Sequence, residues 1–153
     1  MKKILFVCMG NICRSPMAEA IFRDALKQAQ IADNYQVDSA ATSRWEVGNP
    51  PHHGTQEILS RYQISTKGMH ARQVTAEDFY SADYIIGMDQ ENVRELRAIA
   101  PEGTKNKIYL YLDRVPGYTG KSIPDPWYTG DFAETFHLIQ KGLNEWLTFF
   151  END

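Results

Sequence analysis

Ile4-Leu5-Phe6-Val7-Cys8-Met9-Gly10-Asn11-Ile12-Cys13-Arg14-Ser15 is the stretch of sequence from which the fold of this chain can be predicted. It begins with four consecutive apolar residues, as expected for a strand that helices cover on both faces. Ser15 offers a hydroxyl that can cap a helix, Pro16 suits the first helical position, and an apolar stripe continues to about Gln30. The order of strand, loop and helix predicts the opening unit of a parallel α/β sheet.

Further strands and helices alternate along the rest of the chain. Strands are predicted at 35–40, 83–88 and 107–111, helices around 56–62, after 89 and from 131 to the C-terminus, and a long loop at 113–130. Asp131 and Glu134 resemble a capping box at the start of the last helix. We predict one α/β domain over 1–153, a three-layer doubly wound fold with a central four-stranded parallel sheet, helices on both faces and a ligand-binding loop after the first strand.

The composition is that of an ordinary globular protein. The chain has 153 residues, of which 42% are hydrophobic and 24% are charged, and roughly 150 residues is typical of one domain. Its net charge of −4 gives no general positive field that would gather nucleic acid or an anionic membrane surface. No apolar run approaches the roughly 18 residues of a membrane span. We therefore expect neither nucleic acid nor a membrane as a partner.

The two cysteines and four histidines do not form a predicted metal site. Cys8 and Cys13 lie five positions apart, but no second pair of ligands follows at the spacing of a zinc site. Two cysteines are also too few for a disulfide framework, which favours a reducing, cytoplasmic location. We expect no metal and no cofactor.

The loop between the first strand and the first helix has the composition of an anion cradle. Its backbone N–H groups and the positive end of the helix can point at one anion, and Gly10 and Asn11 can adopt the tight turn that this requires. A cysteine at such an end is stabilised as its thiolate, which makes Cys8 a candidate nucleophile. Arg14 presents a planar fork to two phosphate oxygens, and the hydroxyl of Ser15 can hydrogen-bond the thiolate. The sequence therefore predicts a phosphate loop that carries a cysteine nucleophile.

With these residues the sequence resembles the low-molecular-weight protein tyrosine phosphatases, whose signature is C-x5-R-[ST] near the N-terminus. Further segments carry the resemblance along nearly the whole chain: Met17-Ala18-Glu19-Ala20, Asp38-Ser39-Ala40-Ala41-Thr42, Gly48-Asn49-Pro50-Pro51, His70-Ala71-Arg72-Gln73, Met88-Asp89 and Asp125-Pro126-Trp127-Tyr128. The resemblance implies that Asp125, in the DP motif, is the general acid. It also implies a network of side chains that holds the loop in shape: Asn11, Ser15, Ser39 and His70.

The predicted reaction is the hydrolysis of phosphotyrosine through a covalent cysteinyl-phosphate, with Cys8 as nucleophile, Arg14 holding the phosphate and Asp125 as general acid and base. Three aromatic side chains could form an apolar slot for the phenyl ring. The predicted substrate contacts, slot included, are Met9, Gly10, Asn11, Ile12, Cys13, Ser15, Trp45, Trp127 and Tyr128. The resemblance also suggests that Cys13 forms a protective disulfide with an oxidised Cys8. The expected partners are phosphotyrosine-containing proteins and a tyrosine kinase, with inorganic phosphate as the product.

Three other functions remain open at this point. A protein-arginine phosphatase of the same family characteristically has Thr where this chain has Ile12, and an isoleucine favours an aromatic ester. An arsenate reductase of this fold would need further redox cysteines, and none follows Cys13. A non-catalytic phosphotyrosine-binding or redox-sensing module would keep the cradle without the acid, whereas this chain retains Asp125 and Ser15.

Overall fold

The computed structural model describes all 153 residues. Four strands form the sheet: β1 Lys2–Cys8, β2 Tyr35–Ala41, β3 Tyr84–Gly87 and β4 Ile108–Leu110. Six helices accompany them: α1 Arg14–Gln28, α2 His53–Arg61, α3 Ala76–Ser81, α4 Gln90–Ile99, α5 Pro126–Thr129 and α6 Phe132–Asn152. Short 3-10 turns lie at Ala32–Asn34, Lys105–Lys107 and Tyr111–Arg114. None of the helices combines the length and the apolar character needed to cross a lipid bilayer.

All four strands are parallel, in the order β2-β1-β3-β4. β1 pairs with β2 from Lys2 opposite Tyr35 to Cys8 opposite Ala41, and it pairs with β3 on its other side. The predicted four-stranded parallel sheet is confirmed. Because the chain leaves β1 toward one edge of the sheet and later returns to fill the other, Cys8 lies at the switch point where open α/β sheets bind their ligands.

The side chains of β1 alternate between two apolar layers. Ile4 and Phe6 pack into the larger core, which includes residues of α1 and α6, whereas Leu5 and Val7 pack into the smaller core with residues of α3 and α4. This burial on both faces explains the continuous apolar run of the strand. The helices on both faces confirm the three-layer arrangement, and they hold rigidly the strand from which the loop emerges.

The first helix starts earlier than its sequence suggests. α1 begins at Arg14 rather than at Pro16, with Cys13 as its N-cap and no side-chain cap. The expectation that Ser15 caps this helix is therefore wrong. Its hydroxyl is engaged inside the loop instead, so that the N–H groups of the first turn are left for another acceptor.

Other helix starts depend on side-chain caps. α3, for which the sequence analysis predicts no helix, begins with a reciprocal capping box between Thr75 and Asp78. α5 lies inside the predicted long loop, and Asp125 caps it. At the start of α6, Asp131 accepts a hydrogen bond from the Glu134 N–H, but the reciprocal bond of the predicted capping box is not formed.

Candidate active site

The carboxyl end of β1 opens into a cavity of about 250 Å³. Its lining comes from the loop after β1, the segment after β2 and the start of α5: Cys8, Met9, Gly10, Ile12, Cys13, Arg14, Ser43, Trp45, Glu46, Asp125, Trp127 and Tyr128. Segments that are far apart in sequence thus meet at one edge of the sheet. The three predicted catalytic residues and the three predicted aromatic residues are all among them.

The sulfur of Cys8 is held by two hydrogen-bond donors. The backbone N–H of Asn11 donates to Sγ at 3.3 Å, and the Ser15 hydroxyl oxygen lies 3.0 Å from the same atom. Because that oxygen already accepts from Asn11 Nδ2 at 2.8 Å, the hydroxyl proton is free to point at the sulfur. Both donors therefore point at one sulfur atom at the end of β1.

Asn11 fixes the turn of the loop. Its φ of 57° lies in the left-handed region that asparagine tolerates, as the sequence predicts. Its amide nitrogen also donates to the Ser39 hydroxyl at 2.9 Å, and that hydroxyl donates to the Glu19 carboxylate at 2.6 Å. The backbone N–H of Arg72 donates to Asn11 Oδ1 at 3.1 Å. The side chain therefore ties the loop to α1, to β2 and to the segment that precedes α3.

Most backbone N–H groups of the loop have no acceptor within the chain. Those of residues 9, 10 and 12–15 make no hydrogen bond, whereas that of Asn11 donates to Cys8. Unpaired donors at the beginning of a helix, together with the positive end of the helix dipole, form an anion-binding site. The loop thus carries the donors that the oxygens of a phosphoryl group require.

Arg14 is buried, and one end of its guanidinium is occupied. Nη1 donates to Asp89 Oδ2 at 2.7 Å and to the Ile123 carbonyl oxygen at 2.9 Å. Nη2 lies 3.4 Å from Asp125 Oδ2, and Nε is buried without a partner. Burial lowers the pKa of Arg14, but nearby negative charges, led by Cys8, more than offset this, and the pKa lies above its ordinary value. The Nε and Nη2 edge of the charged guanidinium is therefore available to bind two oxygens of one anion.

Asp125 and the exposed aromatic side chains form the remaining walls. Asp125 Oδ1 accepts from the Trp127 N–H at 3.0 Å, while Oδ2 faces Arg14. Trp45, Trp127 and Tyr128 are 81%, 57% and 75% exposed although they line the cavity. Large aromatic residues left in contact with solvent beside a cavity are suited to bind a flat apolar group.

Comparison with known proteins decides the family. The sequence model of the family "low molecular weight phosphotyrosine protein phosphatase" matches residues 3–153. The chain belongs to this phosphatase family. It is 47% identical to the low molecular weight protein-tyrosine-phosphatase YfkJ of Bacillus subtilis, over 100% of this chain and 98% of that protein.

Solved structures of the same family resemble the phosphatase closely. The crystal structure of YfkJ gives a TM-score of 0.95 over 99% of this chain and 96% of that one, at 47% identity. SP-PTP, a low molecular weight protein tyrosine phosphatase from Streptococcus pyogenes, gives 0.86 at 46% identity over 97% and 92% of the two chains. The Drosophila arginine phosphatase DARP gives 0.91 at 33% identity over 100% and 99%.

The second cysteine of the phosphatase, Cys13, has a strongly raised pKa. Burial, followed by the negative charge of Cys8, raises the pKa of Cys13 to about 12. Cys13 is therefore a protonated thiol at neutral pH, although it lines the same cavity. Both cysteines are free in the structure.

The predicted loop-supporting role of His70 is wrong. The residue is exposed, and its one hydrogen bond joins Nδ1 to the Gly68 carbonyl oxygen within the same turn, at 3.3 Å. The backbone N–H of Arg72 supplies the donor to Asn11 instead. This donor is fixed because the next residue, Gln73, forms a bridge with the end of β2. The exposed imidazole of His70 makes no comparable contact with β2 or with the loop.

Asn11 and Ser15 are predicted substrate contacts, but their side chains do not reach the cavity. Both are buried and neither lines the cavity. Their side-chain polar atoms are used to hold Cys8 and the turn. Of the two, only Ser15 also has a backbone N–H left for an anion.

Two acidic residues with no role predicted from the sequence contact residues of the site: Asp89 accepts a hydrogen bond from Arg14, and Glu19 accepts one from Ser39. Asp89 follows β3 directly and therefore lies at the same sheet edge as Cys8, a position that could have identified it. Glu19 lies four residues after Ser15 and so on the same face of α1. Burial raises the pKa of Glu19, although hydrogen bonding by Ser39 partly offsets this.

Arg72 lies in the quoted segment His70-Ala71-Arg72-Gln73, but nothing in the sequence indicates that its side chain forms ion pairs. Its guanidinium donates to Asp38 at 2.8 Å and to both carboxylate oxygens of Asp78 at 2.9 Å, which clamps its backbone beside the loop.

Nowhere does the structure gather three or more His, Cys, Asp or Glu side chains that could hold a metal ion.

Proposed function

We propose that the chain is a protein tyrosine phosphatase that hydrolyses phosphotyrosine through a cysteinyl-phosphate. One observation carries the proposal: a cysteine sulfur that accepts two hydrogen bonds shares a cavity with the open edge of a buried arginine, a carboxyl group and three exposed aromatic side chains. The cradle suits a phosphate dianion, and the aromatic walls suit the phenyl ring of tyrosine.

In the first step the Cys8 thiolate attacks phosphorus in line with the ester bond. A bond forms between sulfur and phosphorus, and the bond between phosphorus and the phenolic oxygen breaks. Asp125 gives its proton to the departing phenolate. The loop N–H groups and the Nε and Nη2 edge of Arg14 hold the three remaining phosphoryl oxygens, where negative charge is concentrated in the transition state.

In the second step water attacks the phosphorus of the cysteinyl-phosphate. Asp125, now ionised, accepts a proton from that water, and the sulfur leaves as a thiolate that the Ser15 hydroxyl and the Asn11 N–H stabilise. Inorganic phosphate is the product. Cys13 takes no part in this cycle, and its protonated thiol keeps it from competing as the nucleophile.

The partners follow from this chemistry. Phosphotyrosine in a protein is the product of a tyrosine kinase, so a kinase of that class supplies the substrate. Turnover needs Cys8 as a thiolate, so we place the enzyme in the reducing cytoplasm. A disulfide between Cys8 and Cys13 would protect an oxidised nucleophile, since both residues line one small cavity.

A second candidate, a protein-arginine phosphatase, has the similarity to the Drosophila arginine phosphatase in its favour. The side chain at position 12 lines the cavity, and here it is the apolar Ile12. An apolar contact favours an aryl ester over a charged guanidinium. Replacing Ile12 by Thr should therefore raise the rate on phosphoarginine relative to phosphotyrosine.

The deciding experiment measures phosphate release from matched peptides that carry phosphotyrosine, phosphoserine or phosphoarginine. The expected order places phosphotyrosine far above the other two. Cys8→Ser should bind the phosphotyrosine peptide without turnover, with an unchanged circular dichroism spectrum. Faster release from phosphoarginine by the unaltered enzyme would establish the second candidate, and binding without any turnover would establish a phosphotyrosine-binding module.

A further inference from the structure

The backbone at the start of α2 is attached to the phosphate loop. The N–H of His52, the N-cap residue, donates to the Ile12 carbonyl oxygen at 2.6 Å. Three residues later the Thr55 hydroxyl donates to the Cys13 carbonyl oxygen at 3.1 Å. These two bonds hold the second half of the loop, and they fix where the ring of His52 stands relative to it.

The ring of His52 is also held in one orientation. Its Nδ1 accepts from the Gly54 N–H at 2.9 Å, so the proton of the neutral ring lies on Nε2. The ring stacks on Phe132, with centroids 4.9 Å apart and an interplanar angle of 22°. Gly54 allows this stack, because a Cβ at that position would lie 2.5 Å from the Phe132 ring.

The same ring contacts Trp127 in an edge-to-face arrangement. The centroids are 5.7 Å apart and the planes cross at 87°, a geometry that aromatic pairs favour. Trp127 follows the general acid Asp125 by two residues, and Phe132 opens α6 just beyond. His52 therefore touches the acid-carrying segment near both ends, while its backbone holds the phosphate loop.

We propose that His52 is a positioning residue for recognition of the leaving group, because its ring sets the indole of Trp127 as a wall of the aryl slot. The inference rests on the proposed phosphotyrosine hydrolysis. Trp127 is 57% exposed, and no other aromatic ring contacts it. Without the imidazole the indole loses the support that holds it over the cavity, whereas the phosphate loop keeps its bond from the backbone at position 52.

Two variants separate the ring from the cap. His52→Asn keeps a side-chain acceptor for the Gly54 N–H but removes the ring, and His52→Phe keeps the ring but removes the acceptor. His137→Asn, at an exposed histidine on α6, is the matched control. For each variant, kcat and KM are measured with a phosphotyrosine peptide, together with the inhibition constant of inorganic phosphate and the melting temperature.

The two His52 variants should change different quantities. His52→Asn should raise KM for the peptide by roughly two- to tenfold, the range that an aromatic pair supports. His52→Phe should leave KM near that of the unaltered enzyme while lowering the melting temperature by a few degrees, because the cap is lost. Inhibition by phosphate should stay within about twofold in every variant. His137→Asn should change none of these quantities.

A spectroscopic measurement tests the positioning without relying on activity. The chain has three tryptophans, and Trp146 is fully buried. In a Trp45→Phe background, quenching by acrylamide therefore reports mainly on Trp127. Adding His52→Asn should increase the quenching, and adding His52→Phe should not.

Three outcomes would overturn the inference: an unchanged KM in His52→Asn, equal changes in both His52 variants, or a phosphate inhibition constant that rises with KM, which would mean that the ring acts on the loop. If the unaltered enzyme does not hydrolyse phosphotyrosine, the proposed function fails. The quenching measurement would then still decide whether His52 positions Trp127.

Discussion

Replacing Asp125 by Asn tests the assignment of the general acid with little disturbance of the structure. Asp125 caps α5 by accepting from the Trp127 N–H at 3.0 Å, and an asparagine oxygen can accept the same bond. The substitution therefore removes the acidic proton and the negative charge but keeps the cap. The far-ultraviolet circular dichroism spectrum and the melting temperature should change little.

The expected loss depends on the leaving group. The phenolate of tyrosine has a conjugate acid with a pKa of about 10 and needs protonation, so formation of the cysteinyl-phosphate should slow by roughly 10²- to 10⁴-fold. A nitrophenyl phosphate, whose leaving group is a much weaker base, should lose less. Because Asp125 Oδ2 lies 3.4 Å from Arg14 Nη2, its removal also frees the guanidinium from a competing carboxylate, and inorganic phosphate should bind more tightly.

Rapid-quench single-turnover measurements isolate the first step, which matters because Asp125 also serves as base in the second. An equal fall in the first-step rate for both leaving groups would show that another group in the segment 113–130 is the acid.

Three further predictions concern charge and redox chemistry. Arg14→Lys should lower kcat/KM by at least about 10²-fold with the fold retained, since a point charge cannot present the Nε and Nη2 edge to two oxygens; near-normal turnover would contradict the bidentate contact. After peroxide treatment, Cys13→Ser should recover less activity on addition of thiol than the unaltered enzyme, measured as the percentage regained, and equal recovery would remove the protective role of Cys13. Burial raises the pKa of Asp78, but hydrogen bonds from Arg72 and Thr75 outweigh it and hold that pKa below its ordinary value of 3.8. Its ionised form therefore adds stability that is lost as pH falls below about 4, so Asp78→Asn should lower the melting temperature near pH 7 and flatten its decline in acid; parallel curves for the two proteins would refute this.

The fold and the chemical centre could be predicted from the sequence because both are encoded locally. The apolar run of β1 is continuous since the strand is buried on both faces, and this marks a parallel sheet without any knowledge of its neighbours. The spacing of Cys8 and Arg14 places them at the two ends of one loop, with Cys8 at the end of β1 and Arg14 at the start of α1. Short-range patterns of this kind do not depend on the contacts that the rest of the chain makes.

The supports of the loop could not be predicted because they depend on contacts across the sheet. The donor to Asn11 Oδ1 is a backbone N–H of Arg72, 61 positions away, and a backbone group carries no side-chain signature. The motif around His70 pointed to the right segment but to the wrong atom. The backbone of Arg72, and not the side chain of His70, faces the loop. The bridge between Gln73 and β2 and the hydrogen bonds of the Arg72 guanidinium determine this placement.

The same limit applies to the orientation of Arg14. The sequence predicts an arginine fork for phosphate, but not which of its edges is presented. Nη1 of Arg14 donates to Asp89, 75 positions away, and to the Ile123 carbonyl oxygen, 109 positions away. A buried guanidinium must satisfy its donors, so occupation of Nη1 leaves the Nε and Nη2 edge for the substrate. The orientation of the Arg14 guanidinium in this loop is thus determined by Asp89, which follows β3, and by the carbonyl oxygen of Ile123.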